Sequence, residues 1–422
     1  MFKNILRALR GAALVEYSMV VGLIAILAIF AVMSNGRQVS QTFCVAAEAI
    51  AFGMTGEAGK YGCSTDGVPV SSGPPAIPPR VIIPTTYNPQ ELDFVLIYEG
   101  FHAGFLLTSN TGGLIEWGDG RTTAIISGNN VYNISYLNAG PHQVNITGNV
   151  TAFSNIRTIE LTEVVSFGTV GILSLTGAFT DADNLRRIAD LPDTVTDLSL
   201  AFELNDAELA DVADWNVGNV TNMRQMFNQA GNFNADIAYW DVSSVEDMAN
   251  MFTLATNFNA EIGAWDISSA QNLTGLFDRA SSFDQDISNW NTLNVTNLEF
   301  TFRLATAFNS PIGAWDVSNV RNLAYTFSSA TSFNQPLNTW DVSNVQDMSG
   351  TFDSATAFNQ PLNDWVPLSI PNRNAMHAMF ANTPAFAQNL SSWCVNQIIS
   401  HPSFFSHFSA ITGLPLWGQP CS

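Results

Sequence analysis

The side chains best suited to chemistry in this chain are carboxylates that recur on a fixed beat. Asp241, Asp266, Asp316 and Asp341 each follow a tryptophan at multiples of 25 residues, and Asn291 fills the same place in one copy. A column of carboxylates could coordinate calcium, which takes several oxygen ligands. The exchange for Asn291 fits better with a side chain that accepts a backbone hydrogen bond in the adjoining turn. Asp181-Ala182-Asp183-Asn184 begins like a calcium loop but lacks the later glycine and glutamate. Asp119, within Trp117-Gly118-Asp119-Gly120, reads as a turn residue before it reads as a ligand. The five histidines are scattered, with His401 and His407 flanking an aromatic cluster near the C-terminus. No GxSxG, HExxH, Walker or Rossmann pattern sits in a suitable context. The expectation is a chain with no catalytic residues, no metal and no other cofactor; a solenoid hydrolase would need a carboxylate cluster on one face.

The elements that position these residues are set by the aromatics. Trp215, Trp240, Trp265, Trp290, Trp315, Trp340 and Trp365 stand 25 residues apart, and Trp393 follows after 28. Phe202, Phe227, Phe252, Phe277, Phe302, Phe327 and Phe352 keep the same interval, as do Phe233, Phe258, Phe283, Phe308, Phe333 and Phe358. Both phenylalanine series resume 28 residues later, at Phe380 and Phe386, so three residues are inserted between Trp365 and Phe380. Such a period means stacked supersecondary units, each burying its apolar face against its neighbours. The tryptophans could stack sugar rings on an exposed face, but large aromatics in a strict array are more often a buried spine. The expected core is Trp240, Trp265, Trp290, Trp315 and Trp340 with Phe252, Phe277, Phe302 and Phe327.

Within one unit, Val245, Met248, Met251, Phe252 and Ala255 recur every three or four positions, as on one face of a short helix. Ser243 with Glu246, Ser268 with Gln271 and Ser343 with Gln346 have the spacing of a capping box at a helix start. An extended piece such as Phe333–Trp340 follows. Each unit is therefore expected to hold one short helix or tight turn and one short strand, stacked at about 4.8 Å per rung. The Asn, Asp, Ser and Thr of the repeats fall on the outside, with Asn334 and Gln335 as candidate binding-surface residues.

Charge and cysteines bound the setting. There are 36 acidic and 15 basic residues, a formal net charge of −21, and so acidic a chain is repelled by nucleic acid and anionic headgroups. Pairing the cysteines within neighbourhoods, Cys44 with Cys63 and Cys394 with Cys421, closes the shortest loops of the three possible connectivities. Neither pair has zinc-site spacing, so disulfides in an oxidising compartment are the better reading.

The N-terminus begins MFKNILRALRG and continues as an apolar run from Ala12 to Met33, long enough to span a membrane with its basic end held in the cytoplasm. Gly11-Ala12-Ala13-Leu14-Val15-Glu16-Tyr17 resembles the processing site of Flp-type (Tad, type IVb) pilins. That resemblance implies cleavage by a prepilin peptidase between Gly11 and Ala12, and assembly with other pilin subunits through Glu16 and Tyr17. It implies a subunit held in the inner membrane and then displayed on a surface pilus. Residues 64–90 hold seven of the 18 prolines and read as an extended linker. Residues 91–150 alternate short β-rich runs with turns, and Trp117-Gly118-Asp119-Gly120 with Ser135-Tyr136 resembles the PKD family of immunoglobulin-like sandwiches. Phe333 to Phe352, FNQPLNTWDVSNVQDMSGTF, resembles the 25-residue repeats of BspA-like bacterial surface proteins, a divergent leucine-rich-repeat family.

The expected architecture is multidomain. It comprises a leader (1–11), a pilin-like transmembrane α-helix with its disulfide loop (12–63), the Pro-rich linker (64–90) and a small PKD-like β-sandwich (91–150). Degenerate repeats (151–209), an α/β leucine-rich-repeat-like solenoid (210–393) and a C-terminal cap (394–422) follow. The expected function is display of a solenoid for adhesion or multivalent binding to an extracellular glycan, matrix or cell-surface ligand. The alternative is a membrane-anchored surface receptor that never polymerises.

Overall fold

The structure, a computed structural model, describes residues 93–156, 160–407 and 409–419. These belong to one compact unit that starts at Pro89. The expected leader, transmembrane helix, Cys44–Cys63 loop and linker lie outside the described residues.

Five strands form the N-terminal module: β1 (Phe94–Glu116), β2 (Thr122–Ile125), β3 (Gly128–Asn155), β4 (Leu161–Ser166) and β5 (Arg187–Ile188). The register of β1 breaks between Gly100 and His102 and again between Ser109 and Gly113, so its three stretches pair separately. Phe94–Gly100 lies between β4 and residues 140–146 of β3. His102–Ser109 lies between residues 128–135 and 150–155, and Gly113–Glu116 between β2 and residues 145–148. All these pairings are antiparallel, and only β5 joins in parallel, on β4. Inside, Phe105 stacks on Trp117 at 5.5 Å and Phe94 meets Phe153 edge-on at 4.9 Å.

The end of β3 is also the first rung of the solenoid. Ala152 pairs in parallel with Ser174, and the same pairing continues through Asp197, Asn222, Asp247, Asn272, Asn297 and Asn322 to Asp347. Phe153 contacts Phe179 at 6.3 Å, and Phe179 stacks on Phe202 at 5.2 Å. One hydrophobic core therefore runs from Phe94 to Phe405. The boundary drawn from sequence at residue 150 falls inside β3, because its last residues serve both layers.

The repeats are not helical, which corrects the expected α/β solenoid. The described residues contain no α-helix, only 3-10 turns such as Ala210–Asp214 and Arg373–Met376, and no helix long and apolar enough to cross a membrane. In the rung that begins at Met248, the amides of Met248, Asn250, Phe252 and Leu254 donate forward to Asn272, Thr274, Leu276 and Asp278 of the next rung. The amides between them, of Met251, Thr253 and Ala255, close turns onto Met248, Asn250 and Phe252. Residues four apart take left-handed backbone: Leu200 and Leu204, Gln225 and Gln229, Asn250 and Leu254, Phe300 and Leu304, Tyr325 and Ser329. Two such residues per rung turn alternate amides out of the helix path, so an i→i−4 ladder cannot form. The apolar three-and-four spacing survives as a chain of turns.

The capping-box positions take other roles for the same reason. The amide of Ser243 is held by Asp241 Oδ1 at 3.1 Å, while the amides of Glu246 and Gln271 donate back to Thr221 and Glu246. Glycine takes the first left-handed position at Gly275 and Gly350. At Gly350 a Cβ would lie 2.3 Å from the Tyr325 ring, so the missing side chain lets that ring lie on the backbone.

The aromatics form three columns through this frame. Successive phenylalanines from Phe202 to Phe380 stack with ring centroids 5.5–5.8 Å apart. From Phe227 onward each pairs face to face with the second phenylalanine of its rung, as Phe277 does with Phe283 at 3.8 Å. The tryptophans from Trp240 to Trp393 stack at 6.0–6.5 Å. The three-residue insertion falls where the Arg373–Met376 turn lies, and forward bonds that span 24 residues in the regular rungs before it span 27 across it, as from Met348 to Ala375. The last rung receives the amides of Ala378, Phe380 and Asn382 at Ser403, Phe405 and His407. Phe405 and Trp417 then close the column edge-on at 5.2 Å. Cys394 is disulfide-bonded, with its partner outside the described residues.

Phe277 has no exposed surface and stacks on Phe252, Phe283 and Phe302. Phe277→Ala is expected to cost about 3–5 kcal/mol in urea unfolding, the usual range for truncating a buried aromatic. Because rungs support one another only through their neighbours, protection from hydrogen exchange should fall in the rungs on both sides. A loss under about 1 kcal/mol would show that the column does not hold the stack together.

Candidate binding surface

The spine leaves nothing aromatic for a ligand in the tryptophan series. Trp240, Trp265, Trp290, Trp315 and Trp340 are 2–4% exposed, and Phe252, Phe277, Phe302 and Phe327 are fully buried. Each indole Nε1 donates to a carbonyl 28 residues earlier, as Trp265 does to Ile237 at 3.0 Å, so the one polar atom of the ring is used inside.

The aspartates that follow the tryptophans are committed to turns. Asp241, Asp266, Asp316 and Asp341 each accept the amide of the serine two residues on, at 2.9–3.1 Å, and Asn291 does the same for Leu293. The serine side chains beside Asp241, Asp266 and Asp316 hold those carboxyls below the usual carboxylate range, and Ser288 does so for Asp286. Asp119 is likewise taken by Arg121, through its amide and its guanidinium. Asp181 occupies a left-handed position of an early rung, and Asp183 accepts the amide of Asp206 at 2.8 Å. Among the described residues no three His, Cys, Asp or Glu side chains are grouped to hold a metal ion.

The outward face is built of columns that hydrogen-bond along the stack. Asn234 Oδ1 accepts the amide of Asn259, and the pattern repeats through Asn259 to Asp284, Asp284 to Asn309, Asn309 to Asn334, and Asn334 to Asn359, at 2.7–2.9 Å. Asn334 is thus a structural link as well as a surface residue. Gln335 Nε2 donates to Asn309 Oδ1 at 3.1 Å, and Gln360 Nε2 donates to Asn334 in the same way. Beside this ladder stands a hydroxyl column that pattern reading missed. Thr256, Ser281, Thr306, Thr331 and Thr356 each donate to a carbonyl 25 residues earlier at 3.4–3.5 Å. Its signal was present in the sequence as a Ser or Thr after the buried alanine of successive units.

A different edge carries a half-buried charge cluster. Arg303 binds Asp278 through Nε at 2.8 Å and a terminal nitrogen at 2.6 Å, and its guanidinium lies 4.3 Å from the Phe300 ring. Phe300 stacks on Tyr325, and burial lifts the Glu299 carboxyl above its usual range. These contacts satisfy one another and tie three rungs together. His401 packs edge-on against Phe405 and Trp417 at the C-terminal end.

The turn aspartates give the solenoid a pH dependence of definite sign. Their folded-state pKa values are depressed, so in acid the unfolded chain binds more protons than the folded one. Stability is therefore complete above pH about 4, near the unperturbed carboxylate value, and falls as the pH drops through the lower folded values. Glu299, whose carboxyl burial lifts above its usual range, opposes this. Melting temperatures measured from pH 6 down to pH 3 should fall at the acid end. Replacing Asp241, Asp266 and Asp316 together by Asn, which keeps the acceptor, should flatten that fall; an unchanged profile would deny those carboxyls the effect.

Residues 196–310 and 285–393 match a family described as "Mycoplasma protein of unknown function, DUF285". No curated protein and no solved structure matches the chain. The matched span is the run of regular rungs that carries the BspA-like resemblance. The pilin-type and PKD-type resemblances have no counterpart in these findings and are set aside. Gly11, Ala12, Glu16 and Tyr17, on which the pilin expectation rested, lie outside the described residues. The chain is a repeat protein whose rungs, over residues 196–393, are similar to that family.

Proposed function

We propose that this chain is an extracellular binding protein that holds a repetitive partner, such as a glycan, matrix polymer or cell-surface coat, through many weak and identical contacts. The observation that carries this reading is the recurrence of the same outward groups in register, once per rung. Asn and Thr columns kept in line by their own hydrogen bonds present one binding pattern many times over. Linked weak sites of this kind add as avidity without any single strong contact. The charge balance of −21 speaks against nucleic acid and anionic surfaces as partners. The disulfide at Cys394 suits an oxidising compartment outside the cytoplasm. Binding rather than catalysis is favoured because the regular carboxylates are engaged by backbone amides.

The 25-residue period supplies the test. One, two or three whole units can be deleted in register between Trp290 and Trp365, leaving every remaining rung a matching neighbour. Cells displaying the full chain and the shortened chains should attach to matrix-coated surfaces in graded fashion, with attachment falling steeply as units are lost. Attachment that is unchanged after three units have gone, in a chain that still melts cooperatively, would refute multivalent binding by the solenoid.

A further inference from the structure

The outward columns change character halfway along the stack. At one exposed position per rung, Asp236, Glu261 and Asp286 give way to Pro311, Pro336 and Pro361. The stretches 305–315, 330–340 and 383–393 contain no charged residue and 355–365 holds one, Asp364, although the chain as a whole carries −21. The earlier stretches over the same columns carry Asp236, Glu261, Asp284 and Asp286. The columns through Asn309, Asn334 and Asn359 and through Pro311, Pro336 and Pro361 therefore form a neutral strip on an acidic protein, with Asp364 three residues beyond Pro361.

The hydrogen bonds along that strip fix which atoms face solvent. A backbone amide can donate only to oxygen, so the amides of Asn334 and Asn359 set the Oδ1 atoms of Asn309 and Asn334 along the stack. Ala387 does the same for Asn359 at 2.9 Å. The Nδ2 groups of these three asparagines then have no acceptor among the described residues and remain as donors. Gln335, Gln360 and Gln388 spend Nε2 on the asparagine one rung back, which leaves Oε1 as an acceptor. Three pairs across adjacent rungs, Asn309 with Gln335, Asn334 with Gln360 and Asn359 with Gln388, thus offer a donor and an acceptor with their orientation already set, and Pro311, Pro336 and Pro361 stand exposed beside them. The spacing is that of the rungs, about 4.8 Å.

We propose that this strip, over rungs 305–393, is the docking surface for an uncharged, extended polysaccharide lying along the solenoid axis. The proposal rests on the binding function above and names its partner. A sugar hydroxyl both donates and accepts, and so matches an Asn–Gln pair. The apolar faces of pyranose rings match the proline column. A neutral polymer approaches the neutral strip without desolvating charge, whereas the acidic rungs impose that cost.

Asp284 supplies the variant for a test, because it already holds a place in the ladder as an acceptor without an Nδ2 donor. Asn309→Asp, Asn334→Asp and Asn359→Asp combined should keep the ladder while removing the donors and charging the strip. The full chain is to be cosedimented with insoluble cellulose, a β-1,4-glucan, with circular dichroism melts to show that each protein is folded. The triple variant should bind at least tenfold more weakly than the wild type. Asn234→Asp with Asn259→Asp, in the acidic half, should change binding less than twofold. Wild-type protein that leaves cellulose unbound, or equal losses in the two variants, would overturn the proposal. If attachment falls with deleted units while the triple variant binds cellulose normally, the strip is refuted and the multivalent function stands.

Discussion

The solenoid depends on the amide groups that each rung sends forward. Met248, Asn250, Phe252 and Leu254 give their N–H groups to the next rung, and that alternation exists only because Asn250 and Leu254 are left-handed. A left-handed residue with a side chain costs of the order of 1 kcal/mol, and nearly every rung holds two. The cost is met because the alternative would leave a row of buried amides and carbonyls without partners. Everything else follows from the outline so imposed. Phenylalanines in equivalent places fall over one another, tryptophan indoles meet the same carbonyl in each rung, and asparagines meet the next amide.

The aromatic beat was legible because periodicity is a property of the chain itself. Burial of Trp265 or Phe277 needs no knowledge of backbone angles, only the argument that repeats bury what they share. The path between those side chains was not legible. Val245, Met248, Met251 and Phe252 have helical spacing, and a run of turns that advances three or four residues at a time places apolar side chains on the same side. The residues that decide the matter, Leu204, Gln229, Tyr325 and their equivalents, are not glycines and carry no left-handed signal. Their conformation is imposed by the neighbouring rung, a tertiary effect that overrides local preference. Asn334 shows the same limit on the surface. Its exposure could be inferred from the pattern, but its bond to the amide of Asn359 exists only once two rungs are stacked.

The two ends of the stack are finished differently. At the start, residues 150–155 of β3 pair antiparallel with β1 on one side and in parallel with Ser174 on the other, so the strand module is a lid built on the first rung. Phe153 carries the core across. At the other end Pro402 stands where earlier rungs have the first forward donor, and proline has no N–H to leave unpaired. The edge-on packing of Phe405 and Trp417 replaces the face-to-face column there and stops it.

The forward-pointing amides also make the molecule electrically directional. In a β-sheet the peptide dipoles alternate and nearly cancel. Here the units that end at Met248, Asn250, Phe252 and Leu254 all point the same way, and they outnumber backward bonds such as that from Glu246 to Thr221. A peptide unit carries a dipole of about 3.5 D, and aligned units sum along the axis as they do in an α-helix. The positive pole lies at the C-terminal end and the negative pole at the end covered by the strand module. The stack is thereby given a head and a tail by its backbone, independently of its side chains.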